Sequence, residues 1–217
     1  MRPQCGAHYV GWGGLTKKTI TASERDEEAR QAWREQIASE KTTDLVFVDE
    51  SSTTTALTRL YGWAPHDQRA VGQAPRNYGK NTTFVAALRA QGIQAPWAIE
   101  GAMDTPAFEQ YVLQVLLPTL SPGDIVILDN LSVHKAARIR EAIEGRGCRL
   151  LFLPAYSPDF NPIEQAFSKI KAHLRTLGSR TREALLEALA SALDTISLAD
   201  IVGWFTHSGY ALPDLSP

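Results

Sequence analysis

The 217-residue chain is 44% hydrophobic with a formal net charge of −2, which allows one substantial core and shows no overall excess of cations for a polyanion. No apolar run approaches the ~20 residues needed to span a bilayer, and no charged flank, apolar segment and cleavage site open the chain, so the reading is a soluble cytoplasmic protein. Cys5 and Cys148 form no metal-ligand or redox spacing and are read as reduced thiols.

Residues 1–43 read as a linker plus a helix: Gly11 to Gly14 is loop-like, and Ser23 to Ser39 has helical composition with a serine at its start. From Asp44 the pattern changes. LVFVDE (Leu45 to Glu50) is a short apolar run ending in two acids, as expected of a strand buried on both faces. YGWAP marks a turn, and TTFVAALRA suggests another strand. Thr105 to Leu120 has helical spacing at Phe108, Val112, Val115 and Leu116, with Thr105 and Pro106 as N-cap and first helical residue. IVILDN (Ile125 to Asn130) is a second buried-type strand ending in an acid. A basic helix closed by glycine follows, then the strand CRLLFLP.

LPAYSPDFNPIEQAFSKIK leads into a helix with Asn161 as N-cap, Pro162 as first helical residue and Glu164 in the opening turn. Ile163, Phe167, Ile170 and Leu174 form one apolar face; Glu164, Ser168, Lys171 and Arg175 form a polar stripe beside it. Two more helices are capped by Thr181 and Ser197. The alternation of strands and helices predicts an α/β fold with a core over residues 44–178 and C-terminal helices over 179–217 packed on it.

Charge is segregated along this chain. Residues 21–50 hold four basic and nine acidic side chains, residues 129–182 ten basic and five acidic, and residues 183–217 five acidic and no Lys or Arg. The basic block either faces a polyanion or is an unevenly charged solvated surface.

Asp49 and Asp129 each end an apolar strand, where ligands gather in open α/β sheets, although strand-end aspartates also cap loops. A strand ending in Asp-Glu also suits a P-loop ATPase. Against this, APRNYGKNT has alanine at the first glycine position and Asn81 at the hydroxyl position, and it lies after that strand. Glu164 as a third acid, in line with Lys171 and Arg175, suits a site facing a phosphate backbone. Three carboxylates without imidazole or thiolate suit magnesium or manganese, and two such ions support in-line phosphoryl displacement. Glu50 would point to the opposite face from Asp49.

FVDE, LDNLSVHK and LPAYSPDFNPIEQAFSKIK together resemble the catalytic core of bacterial insertion-sequence transposases of the mariner superfamily, with 34 residues between Asp129 and Glu164. The resemblance covers roughly residues 15–205. It implies an RNase H-like fold with a central mixed sheet flanked by helices. It assigns Asp49, Asp129 and Glu164 as the catalytic and metal-binding triad with two magnesium ions, manganese being an alternative. It further implies cleavage of transposon ends, strand transfer into target DNA and a homodimer in the active complex. The family's N-terminal helix-turn-helix region is expected upstream of residue 1, as a separately encoded frame or as a part lost by truncation. A catalytically silent binding or assembly module from such an element is the alternative. His134, Lys135, Arg76 and Lys80 join Lys171 and Arg175 as candidate DNA contacts, against structural or loop roles. Tyr156, Asp159 and Asn161 are read as loop-shaping, Asp159 through turn chemistry, and Trp63, Trp97 and Trp204 as packing.

Overall fold

A computed structural model describes residues 22–130 and 137–212. Cys5, the Gly11 to Gly14 loop, His134 and Lys135 lie outside the described residues.

Five strands form one mixed sheet in the order β3-β2-β1-β4-β5. They are β1 (Leu45–Thr53), β2 (Thr82–Arg89), β3 (Gly92–Glu100), β4 (Ile125–Leu128) and β5 (Arg149–Phe152). β2 runs antiparallel to both β1 and β3, whereas β1, β4 and β5 are mutually parallel along the sheet. The helices are α1 (Glu27–Ala38), α2 (Thr105–Tyr111), α3 (Ala137–Gly145), α4 (Ile163–Leu177), α5 (Arg182–Asp194) and α6 (Leu198–His207). Among the described residues no helix is long and apolar enough to cross a membrane.

Side chains alternate across a strand, so each buried strand feeds two apolar layers. Leu45 and Phe47 of β1 and Ile125 and Ile127 of β4 join the layer under α1, α4, α5 and α6. Val46 and Val48, with Val126 and Leu128, join the layer under α2 and α3. The predicted apolar face of α4 is realised: Ile163, Phe167, Ile170 and Leu174 are all buried in the first layer. α5 adds Leu185 and Leu189, and α6 adds Ile201 and Phe205, whose ring meets Phe47 edge-on at 5.6 Å. Trp33 of α1 is buried in the same layer.

Several local expectations are corrected. The N-cap of α1 is Asp26 rather than Ser23, and that of α2 is Asp104 rather than Thr105; each aspartate accepts from a backbone N–H three residues on. Past Tyr111 the α2 segment widens into a π turn over Val112–Leu116 and ends in a 3-10 turn containing Pro118. Thr181 and Ser197 do cap their helices, Ser197 in a reciprocal capping box with Asp200. Trp63 is fully exposed in the irregular segment between β1 and β2, which offers it no apolar layer. Trp97 does pack, stacked on Tyr111 at 6.0 Å, and Trp204 is partly buried against the first layer. Cys148 is a free, buried cysteine whose thiol donates to the Ser121 carbonyl.

β3 carries no clean strand signal in the sequence. Ile93, Ala95, Trp97 and Ile99 alternate with period two, but Pro96 and a bulge at Ala95 (φ 50°) interrupt the pattern. Both are tolerated because β3 is an edge strand.

Candidate active site

Asp49 lies within β1 rather than at its end, because β1 continues to Thr53 beside β2. The parallel register pairs Leu45 with Ile125 and Phe47 with Ile127, so continuing it by two residues sets Asp49 level with Asp129, just past the end of β4. Alternation then puts both aspartates on the face that carries Leu45, Phe47, Ile125 and Ile127. α4 packs against β1 on that face and presents Glu164 from its first turn. A cleft of about 350 Å³ is lined by Asp49, Asp129 and Glu164 together, with Asn161, Tyr156 and Leu153 among its walls. Glu50, the next residue of β1, points to the other face, as alternation requires.

The local structure around Asp49 departs from the expected helix cap. Asn161 has extended backbone geometry and its carbonyl accepts from the Glu164 N–H, but its side chain does not cap α4. Pro162 stands at the cap position, and the Asn161 amide instead donates through Nδ2 to Asp49 Oδ2 at 2.8 Å, in the buried interior. Asp49 Oδ1 accepts from the Glu50 N–H at 2.7 Å. Asp159 is not merely a turn residue: Arg30 of α1, 1% exposed, donates to both of its carboxylate oxygens, at 2.9 and 2.6 Å. Sequence could not reveal that pair, whose members are 129 positions apart. Tyr156 at the cleft has a left-handed backbone (φ 54°) that bulky residues rarely adopt, with its side chain exposed.

Electrostatics tie the acids together. Burial is the main cause that pushes the Asp49 carboxyl up to about 8, followed by the negative charge of Glu164; Glu50 and Asp129 add to it, while the Glu50 N–H opposes. Glu164, at the open rim, is also raised, first by partial desolvation; Lys171 pulls it down and Asp129 pushes it up. Among the described residues Asp49 has no cationic partner within ion-pair distance, and no three His, Cys, Asp or Glu side chains are already drawn together to ligate one ion. The donor set itself fits a hard divalent cation: carboxylate oxygens only, two from adjacent strands and one from a facing helix.

Of the candidate DNA contacts, Lys171 lies two turns along α4 from Glu164 and acts on its charge. Arg175 is half-buried in the last turn of α4. Arg76 and Lys80 fall in the exposed segment between β1 and β2, where neither lines the cleft, and Lys80 pairs with Glu100 at 3.3 Å.

Residues 44–186, two thirds of the chain, match the family described as DDE superfamily endonuclease. The chain belongs to the DDE superfamily endonucleases. No curated protein matches it in sequence. Among solved structures this DDE superfamily member is similar to the Mos1 transposase paired-end complex with left transposon end, with TM-score 0.68 at 18% identity over 91% of this chain and 68% of that one. It is similar to the mariner Mos1 paired end complex with Mg, with TM-score 0.69 at 17% identity over 91% and 65%. It is also similar to the catalytic domain of Mos1 mariner transposase, with TM-score 0.62 at 12% identity over 87% and 91%. The likeness is one of fold, RNase H-like in the mixed sheet and its flanking helices. The chain spans about two thirds of the transposase chains in the complexes and nine tenths of the isolated catalytic domain.

Proposed function

We propose that this chain is the catalytic domain of a DNA transposase, acting in metal-dependent cleavage of transposon ends and strand transfer into target DNA. The observation that supports it is the shared face of Asp49 and Asp129 on neighbouring parallel strands, with Glu164 of α4 lining the same cleft.

Asp49, Asp129 and Glu164 would hold two divalent ions, magnesium or manganese. When bound, such ions supply Lewis acidity that activates an attacking water or 3' hydroxyl and stabilises the leaving oxygen of an in-line displacement. The protein's contribution is placement and charge. The sheet fixes the two aspartates through their backbone register, and α4, locked by its buried face, fixes the approach of Glu164. Lys171 and Arg175 on the same helix would lie along the phosphate backbone, contributing affinity without reading sequence. The substrate is DNA, its strands entering at the open side of the cleft, and the active complex is a homodimer.

The test is nicking of supercoiled DNA by the 217-residue chain with Mg²⁺ or Mn²⁺ against a chelator control, beside Asp129→Asn. Metal-dependent nicking lost in the variant supports the reading. Equal nicking by the variant refutes it.

A further inference from the structure

We infer that Asn161 is a positioning residue that holds the Asp49 carboxylate in the orientation an ion requires, and that α1 and Tyr210 brace it; this rests on the reading of Asp49 as a metal ligand. Asp49 is 7% exposed and Asn161 4%, so their 2.8 Å bond forms away from water. With Oδ1 engaged by the Glu50 N–H and Oδ2 by the Asn161 amide, rotation of the carboxylate about its last torsion is blocked. Each oxygen keeps one further acceptor direction for the cleft.

Asn161 also forgoes an alternative. An asparagine at this position ordinarily caps the helix that follows, yet α4 begins behind Pro162 with no side-chain cap. The amide is directed instead to a strand 112 positions earlier.

The turn that carries Asn161 is gripped from outside the segment matching the family. The Arg30 guanidinium binds Asp159 and lies 4.0 Å from the centre of the Phe160 ring. Tyr210 donates its hydroxyl to the Phe160 carbonyl at 2.6 Å and accepts from Trp33 Nε1 at 3.3 Å. Arg30, Trp33 and Tyr210 all fall outside residues 44–186. Asp159 and Phe160 are therefore pinned immediately before Asn161, which fixes the backbone from which its amide reaches Asp49. A purely structural role, satisfying a buried acid, predicts lower stability with unchanged ion affinity per folded molecule. A positioning role predicts weaker ion binding.

The test uses the full chain and Mn²⁺ alone as probe, with free Mn²⁺ read by electron paramagnetic resonance at fixed pH. Asn161→Ala, Asn161→Leu, Asp49→Asn and the double variant Asp49→Asn/Asn161→Ala are compared, each checked for native circular dichroism. Partners of metal ligands are commonly worth 10- to 100-fold in affinity, so both Asn161 variants are expected to bind Mn²⁺ about tenfold more weakly. In the Asp49→Asn background Asn161→Ala is expected to add nothing, because its route of action is gone. Asn161→Leu keeps the same four-atom branched outline without the amide and carries the test if the alanine variant unfolds. Unchanged affinity, or an equal loss in the Asp49→Asn background, overturns the role of Asn161 while leaving the metal site standing. Failure of the wild-type chain to bind Mn²⁺ overturns the metal site, and this inference with it.

Discussion

Replacing the titrating Asp49 by asparagine should flatten the pH dependence of stability in metal-free solution. Its carboxyl is pushed up to about 8 in the fold, burial first and then Glu164, whereas in the unfolded chain it titrates near 3.8. Between those values the folded protein holds a proton that the unfolded chain has released. Rising pH therefore favours unfolding, by at most about 1.4 kcal/mol per pH unit for one proton. From pH 5 to pH 7 that is about 3 kcal/mol, a large part of the 5–15 kcal/mol typical of a domain. The contribution is fully present below the unfolded value and lost as pH climbs through the folded one. Other groups also titrate: Glu164 is raised, while Asp124, Asp159 and Asp200 are lowered, so only a difference isolates Asp49. Urea unfolding with chelator at pH 5, 6, 7 and 9, for wild type and Asp49→Asn, provides it. The variant should gain on the wild type steadily from pH 5 to pH 7 and level off above pH 8. Parallel curves would show that Asp49 is ionised throughout, and the account of its burial and its neighbours would be wrong.

Phe167→Ala should cost about 3–5 kcal/mol in the same unfolding assay, because Phe167 is 3% exposed and meets Phe84 edge-on at 5.8 Å; a loss below about 1 kcal/mol would mean the α4 face is not packed as described. Lys171→Ala and Arg175→Ala should each reduce the salt dependence of non-specific DNA binding by about one unit of slope in log affinity against log salt, read by fluorescence anisotropy across 50–200 mM salt. An unchanged slope would remove that residue from the DNA path.

What the sequence revealed of this fold follows from how local each signal is. β1 and β4 are continuous apolar runs, and the α4 face repeats over three turns, so both survive any tertiary context and were legible. The same features bring Asp49, Asp129 and Glu164 to one cleft, because adjacent parallel strands in register set Asp49 level with Asp129 and α4 packs its apolar face on β1 beside them. The period-two pattern of β3 was present but broken by Pro96 and a bulge that only an edge strand tolerates. Asn161 was the instructive case. Its place before a proline and a helix is a strong local signal for a cap, and a long-range bond to a buried carboxylate outweighed it. Nothing local could show Arg30 reaching Asp159, since an ion pair between distant segments leaves no periodic trace.

The alignment of β1 with β4 makes an error of assembly and an error of chemistry the same event. A slip of one residue between these strands would break the level pairing of Leu45 with Ile125 and of Phe47 with Ile127. If β1 turned over to restore contact, Asp49 would leave the cleft for the face that carries Val46 and Val48 beneath α2 and α3. Val46 and Val48 would then turn out of the apolar layer they fill, so the misregistered chain loses core burial as it forms. The carboxylates are thus guarded by the strands that carry them: a molecule able to complete its core has already aligned its acids.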